Sequence, residues 1–300
     1  MFKPKQILPI FVFVAIFIII IGLTIFSIQI NTNTPIITAT GEIRYYSFPT
    51  ITQTVASLQN TEPVMSVTPD IVKSTTTPIL EWQPLASIQD SRGLIKNADR
   101  SEYKIALTFD VCQSEGDLAG FDTAIIQVLN ETQTPATFFL GGLWMRDHQA
   151  ETIELSNNPL FELGNHSWSH KDFSAITNDE MQKEILLTQQ FMYDLVGYQT
   201  NLFRLPYGTY TDESLNIIND QGLYIIQWDD VSGDPDPNVN AENMTSWVLQ
   251  QVQPGSIIIM HANGRGWHTA EALPRIIQSL NEQGYAIVTV SELLKIQPYK

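Results

Sequence analysis

Lys104-Ile105-Ala106-Leu107-Thr108-Phe109-Asp110 is an apolar, β-prone run that ends on an acid. Six more runs of this kind follow, at 136–140, 161–164, 202–205, 224–228, 256–260 and 286–290. Between several of them lie amphipathic stretches with recognisable helix ends. The clearest starts at Thr177, has Glu180 placed for a capping box, carries Met181, Ile185, Thr188, Met192 and Leu195 on one face, and stops at Gly197. Others run from about Asp212 to Gly222 and from Thr269 to Gly284. Strands separated by helices pair in parallel. The recurrence predicts an α/β fold, a distorted barrel of seven or eight βα repeats in preference to a short open sheet.

Titratable residues fall at the ends of these runs. Asp110 ends the first, His166 and His170 follow the third, and Arg204 lies at the end of the fourth. Asp229, Asp230 and Asp234 follow the fifth, and His261 follows the sixth. In a parallel βα barrel these places converge on the C-terminal face, where active sites are built. His166-Ser167-Trp168-Ser169-His170 spaces two imidazoles so that they can share a face of a helical turn and bind zinc or a related divalent ion. Such a site needs a third ligand and an open position. Asp110 is the candidate ligand, and it would then have to serve as base too.

The rest of the chain reads differently. Lys3 and Lys5 precede a run over 7–30 without a charged residue, long enough to cross a hydrocarbon core of roughly 30 Å. No small-residue cleavage pattern follows it, so an uncleaved anchor is favoured over a cleaved signal peptide. The two leading lysines place the N-terminus in the cytoplasm and the remainder outside. Residues 31–100 are rich in Thr, Ser, Pro, Gln and Asn and read as a tether, leaving 101–300 as the catalytic domain. A net charge of −16 excludes a basic-patch nucleic-acid binder. The single cysteine, Cys112, excludes an internal disulfide framework and a Cys-rich zinc site.

Five ordered stretches carry a family resemblance: Thr108-Phe109-Asp110, His166 to His170, Arg204-Leu205-Pro206-Tyr207-Gly208, the acidic loop from Trp228 to Asp234, and Ile259-Met260-His261. Together they resemble the motifs of polysaccharide deacetylases, carbohydrate esterase family 4, over roughly residues 101–295. The resemblance implies metal-dependent hydrolysis of an N-acetyl group on an amino-sugar polymer, with zinc the favoured ion. Asp110 then resembles the general base, with His166 and His170 as metal ligands. Arg204 resembles the residue that holds the base, and the backbone N–H of Tyr207 the oxyanion donor. His261 resembles the general acid, oriented by Asp234. The implied partners are an N-acetylated glycan and, through the N-terminal helix, the cell membrane.

Two positions depart from that family's pattern. Where a second aspartate commonly follows the base as third metal ligand, this chain has Val111 and then Cys112. Asp110 or a water completes the site, Glu115 or Cys112 substitutes, or the metal is weak or absent; for Cys112 itself, a small buried hydrophobe is the plainer reading. In the acidic loop Val231 replaces a common aspartate and Pro235 a common tryptophan, so Asp229 and Asp230 are expected to be solvated or loop-capping. His148 reads as structural, and Trp267 and His268 are candidate sugar contacts. Two other readings stay open: hydrolysis of another acylated amino sugar, and a glycan-binding barrel without chemistry.

Overall fold

The computed structural model describes residues 34–37, 43–46 and 93–299. The apolar run over 7–30 lies outside them, and no helix among the described residues is long and apolar enough to cross a membrane. The strands are β1 (Thr34–Ile37), β2 (Ile43–Tyr46), β3 (Leu94–Ile95), β4 (Lys104–Val111), β5 (Ala136–Leu140), β6 (Phe161–Asn165), β7 (Leu202–Phe203), β8 (Tyr224–Ile226), β9 (Asp230–Val231), β10 (Ile257–His261) and β11 (Ala286–Ile287). The α-helices are α1 (Thr123–Glu131), α2 (Gly142–Asp147), α3 (Gln149–Asn157), α4 (Asn178–Val196), α5 (Asp212–Asp220), α6 (Ala241–Gln251), α7 (Thr269–Glu282) and α8 (Val290–Leu294). β1 and β2 form an antiparallel pair.

The other strands form one parallel sheet in the order β3-β8-β7-β6-β5-β4-β10-β9, with β11 beside the start of β4. β4 is central because both its faces are covered: every residue after Lys104 is buried. Its alternation sorts the interior. Ile105, Leu107, Phe109 and Val111 join the large core built with helix residues such as Ile125, Leu273 and Ile276. Ala106 belongs to a second cluster with Phe139, Ile226 and Ile257. Thr108 and Asp110, also on that second register, make the interior polar near the strand's C-terminal end.

All seven apolar runs are strands, but the sheet does not close as a barrel. It ends at β3 and β9, two-residue strands that do not pair with each other. Residues 97–100 cover the gap instead. Asn97 bridges Ser256, Ala98 N–H donates to the Gly255 carbonyl at 2.8 Å, and Arg100 pairs with Asp229 at 2.6 Å. Gly255 is required there, since at φ +80° a Cβ would come within 2.7 Å of the Ala98 oxygen. β3 and this cover come from the last part of the stretch read as tether.

The helix over 178–196 forms where the sequence places it. Thr177 caps it, its side chain and that of Glu180 each accepting the other's backbone N–H, and Gly197 ends it at φ 90°. This cap fixes where α4 begins, and thus where Glu184 meets the loop that follows β6.

Candidate active site

The site is built where β4, β6, β7 and β10 end. Asp110 pairs in register with His261 across β4 and β10. Its Oδ1 accepts from Arg204 Nη1 at 2.7 Å, and its Oδ2 lies 3.4 Å from His166 Nε2. Arg204 is wholly buried, yet each nitrogen of its fork is used. It donates to the Thr108 hydroxyl at 2.8 Å and to the Ile226 and Gln227 carbonyls at 3.3 Å, and it lies 4.0 Å over the Phe139 ring. A buried guanidinium held on so many sides positions one carboxylate oxygen and leaves the other free to act. Burial pushes Asp110 up, but the charge and hydrogen bond of Arg204 foremost outweigh it and hold the group below the ordinary carboxylate value.

His166 Nδ1 donates to the Arg204 carbonyl at 2.9 Å, because a carbonyl only accepts. Nε2 is therefore the unprotonated nitrogen and the available ligand atom. The His170 ring lies 4.9 Å from it and 4.5 Å from the Tyr207 ring. Burial lowers both imidazoles, His170 to about 3, which favours their neutral form. The two rings meet on a loop, in place of the expected helical turn. Ser167 and His170 both take left-handed backbone, at φ 65° and 56°. Asn165 Oδ1 accepts from Ser167 N–H, Ser167 Oγ from His170 N–H, and the Glu184 carboxylate from both Ser169 N–H and O–H at 2.6 Å. Tyr207, at φ 60°, is a third left-handed residue at the same place. Strain of this kind persists where surrounding structure over-determines it.

Asp234 holds His261 from one side. Its Oδ1 accepts from His261 Nδ1 at 2.9 Å, and its Oδ2 accepts from the His261 backbone N–H and from the Thr269 hydroxyl at 2.9 Å. Burial pulls the His261 imidazole down, but the hydrogen bond and charge of Asp234, with Asp110 behind, raise it above its ordinary value. An imidazole whose pKa is raised and a carboxyl whose pKa is lowered are thus held by separate partners. An open cavity of about 520 Å³ lies beside His170 and Tyr207, lined also by Glu115 and Asp172.

The structure brings together Asp110, His166, His170, Arg204, Tyr207, Asp234 and His261, and it places Cys112 beside the two metal-ligand candidates. The donor atoms of Cys112, His166 and His170 lie within 4.8 Å of one another. Asp110 is outside that three-residue set, with Oδ1 held by Arg204 and Oδ2 3.4 Å from His166 Nε2. Two imidazoles and a thiol are a donor set that zinc accepts, so the residues present fit a divalent cation. Val111 points into the helix-facing core. Asp229 is structural, binding Arg100 and accepting from the Ile257 N–H that opens β10. Asp230 is neither solvated nor capping: it is buried and neither oxygen has a hydrogen-bond partner. His148 stacks on Trp144 at 4.6 Å and contacts the Ala119 carbonyl, a structural role. Trp267 is 58% exposed. Glu184, Thr108 and Thr269 support the site without having been singled out. For Glu184 the signal was present, since it falls between Met181 and Ile185 on the apolar face of α4, where a lone acid is costly unless paired.

Residues 97–226 match the sequence profile of the family described as polysaccharide deacetylase. A peptidoglycan-N-acetylglucosamine deacetylase of Bacillus cereus is 29% identical over 197 residues, 65% of this chain and 70% of that protein. A crystal structure of a peptidoglycan N-acetylglucosamine deacetylase superposes with a TM-score of 0.64 at 27% identity, covering 69% of this chain and 95% of that one. A family 4 pseudoenzyme from Bacillus anthracis superposes at 0.61 with 25% identity, covering 68% and 71%; a mutant of it is described as having restored activity. The folded domain of this chain therefore belongs to the polysaccharide deacetylases, carbohydrate esterase family 4.

Proposed function

We propose that this chain removes N-acetyl groups from the amino sugars of a cell-wall glycan. The observation that carries this reading is the pair of separately held dyads: Arg204 fixes Asp110, Asp234 fixes His261, and two neutral imidazoles stand beside Asp110. Asp110 Oδ2 takes a proton from the attacking water. His261 gives a proton to the departing amine nitrogen, so that the amide C–N bond breaks and acetate leaves. Tyr207, held in its left-handed turn, offers its backbone N–H to the acetyl oxygen as negative charge develops there. A divalent cation bound at His166 and His170, zinc by preference, would polarise that oxygen and lower the pKa of water. The run over 7–30 would hold the domain on the outer face of the cell membrane, next to such a glycan.

The full chain, stripped with chelator, is expected to release no acetate from N-acetylglucosamine oligomers or peptidoglycan, and to regain release on addition of zinc. Silence of the folded, zinc-loaded protein on both substrates would overturn this reading. It would favour a barrel that only binds glycan, which the loss of a carboxylate at Val111 and the likeness to a pseudoenzyme also suit.

A further inference from the structure

The residue after Asp110 cannot bind a metal, but the one after that is placed to do so. Val111 lies in the apolar core against the helices, with no exposed surface. Cys112 is turned the other way, as the two-residue period of the preceding strand requires. Its neighbours are polar: the donor nitrogens of His166 and His170, all within 4.8 Å of one another and of Sγ, and Asn263. Asn263 Nδ2 donates to the Cys112 carbonyl at 2.8 Å and approaches Sγ at 3.4 Å, which fixes both backbone and thiol. Gly141 packs against the other side, where a Cβ would come within 3.3 Å of the Cys112 Cα. A cysteine kept as a small hydrophobe would sit where Val111 does. This one sits among ligands.

We propose that Cys112 Sγ is the third protein ligand of the divalent cation, a thiolate in place of the carboxylate absent at Val111. The inference rests on the deacetylase reading only for the presence of a cation at the two histidines. Replacing a carboxylate by a thiolate leaves the charge of the ligand set unchanged, so the demand on Asp110 and His261 is the same. What changes is softness. Thiolate with two imidazoles favours zinc and cobalt and disfavours manganese and magnesium, which prefer oxygen.

Because Cys112 is the only cysteine in the chain, every thiol signal reports this atom. The metal-free full chain titrated with cobalt is expected to take up one equivalent and to show a thiolate-to-cobalt charge-transfer band in the near ultraviolet. In Cys112→Ser the band is lost and zinc binding weakens by about tenfold or more. Cys112→Asp should bind cobalt without the band and tolerate manganese better than the parent, which keeps the test open if the serine variant folds poorly. One equivalent of cobalt without the band would overturn the proposal while leaving acetate release to stand on its own. The band without acetate release would support the ligand and count against the deacetylase reading instead.

Discussion

Asp110 and Asp230 stand on the two strands that flank β10, and both are buried to the same degree, 4% and 0% exposed. Asp110 has Arg204 on one oxygen and His166 near the other, and it is held below the ordinary carboxylate value. Asp230 has no partner on either oxygen, and burial, with the charge of Asp229, pushes it up to about 8. Burial alone therefore does not decide the charge of a carboxylate; the groups facing it do. One aspartate is kept ionised at the cost of burying an arginine. The other is protonated at neutral pH and makes the fold less stable than it could be. Val231 sharpens the contrast, since it is 44% exposed beside the buried acid, the reverse of what a half-covered strand favours.

The strongest way to break the comparison is Asp110→Asn. It should lower kcat/KM by about 10³–10⁴-fold in acetate-release assays. Because Arg204 would stay charged with no counter-ion, urea unfolding should also show a loss of about 3–5 kcal/mol. Activity within tenfold of the parent would end the base assignment. Asp234→Asn should cost about 10²-fold and move the alkaline limb of the kcat/KM profile to lower pH, because His261 loses the charge that raises its pKa. An unmoved limb would show that a different group supplies the proton.

The opposite sign is expected at Asp230. The folded state holds a proton there up to about pH 8 that the unfolded chain releases near its ordinary value of 3.8. Folding stability should thus fall as pH rises between those values and level off above them. Asp230→Asn, or the exchange Asp230→Val with Val231→Asp, should stabilise the protein by roughly 1–3 kcal/mol at pH 7 and flatten that slope in urea titrations. A destabilised exchange variant would mean that the buried acid has a partner that only appears in solution.

Much of this contrast was legible in the chain. The seven apolar runs are strands because a sheet covered on both faces needs continuous apolar sequence, and their polar ends do meet. Two features were not visible. β3 and β9 are two residues long, too short to show a period, and β3 lies where the composition looks like tether. The placing of Cys112 was readable, since counting by two from Asp110 reaches it and passes Val111, and it was one of the residues that could substitute for the missing carboxylate. Asp230 resembled a loop residue because its acidic neighbours Asp229 and Asp234 are in fact satisfied at a strand start and a catalytic pair.

The segment over 97–100 that covers the open side of the sheet also sets how far the domain can be trimmed. A protease cut just before Gly93 would remove no strand of the parallel sheet, and the freed domain would keep its site. A cut after Arg100 would take away β3, the Asn97–Ser256 bridge and the Asp229 ion pair together. An active shortened form is therefore expected only from cleavage upstream of that boundary, and Lys96 and Arg100 mark where trypsin would instead inactivate the domain.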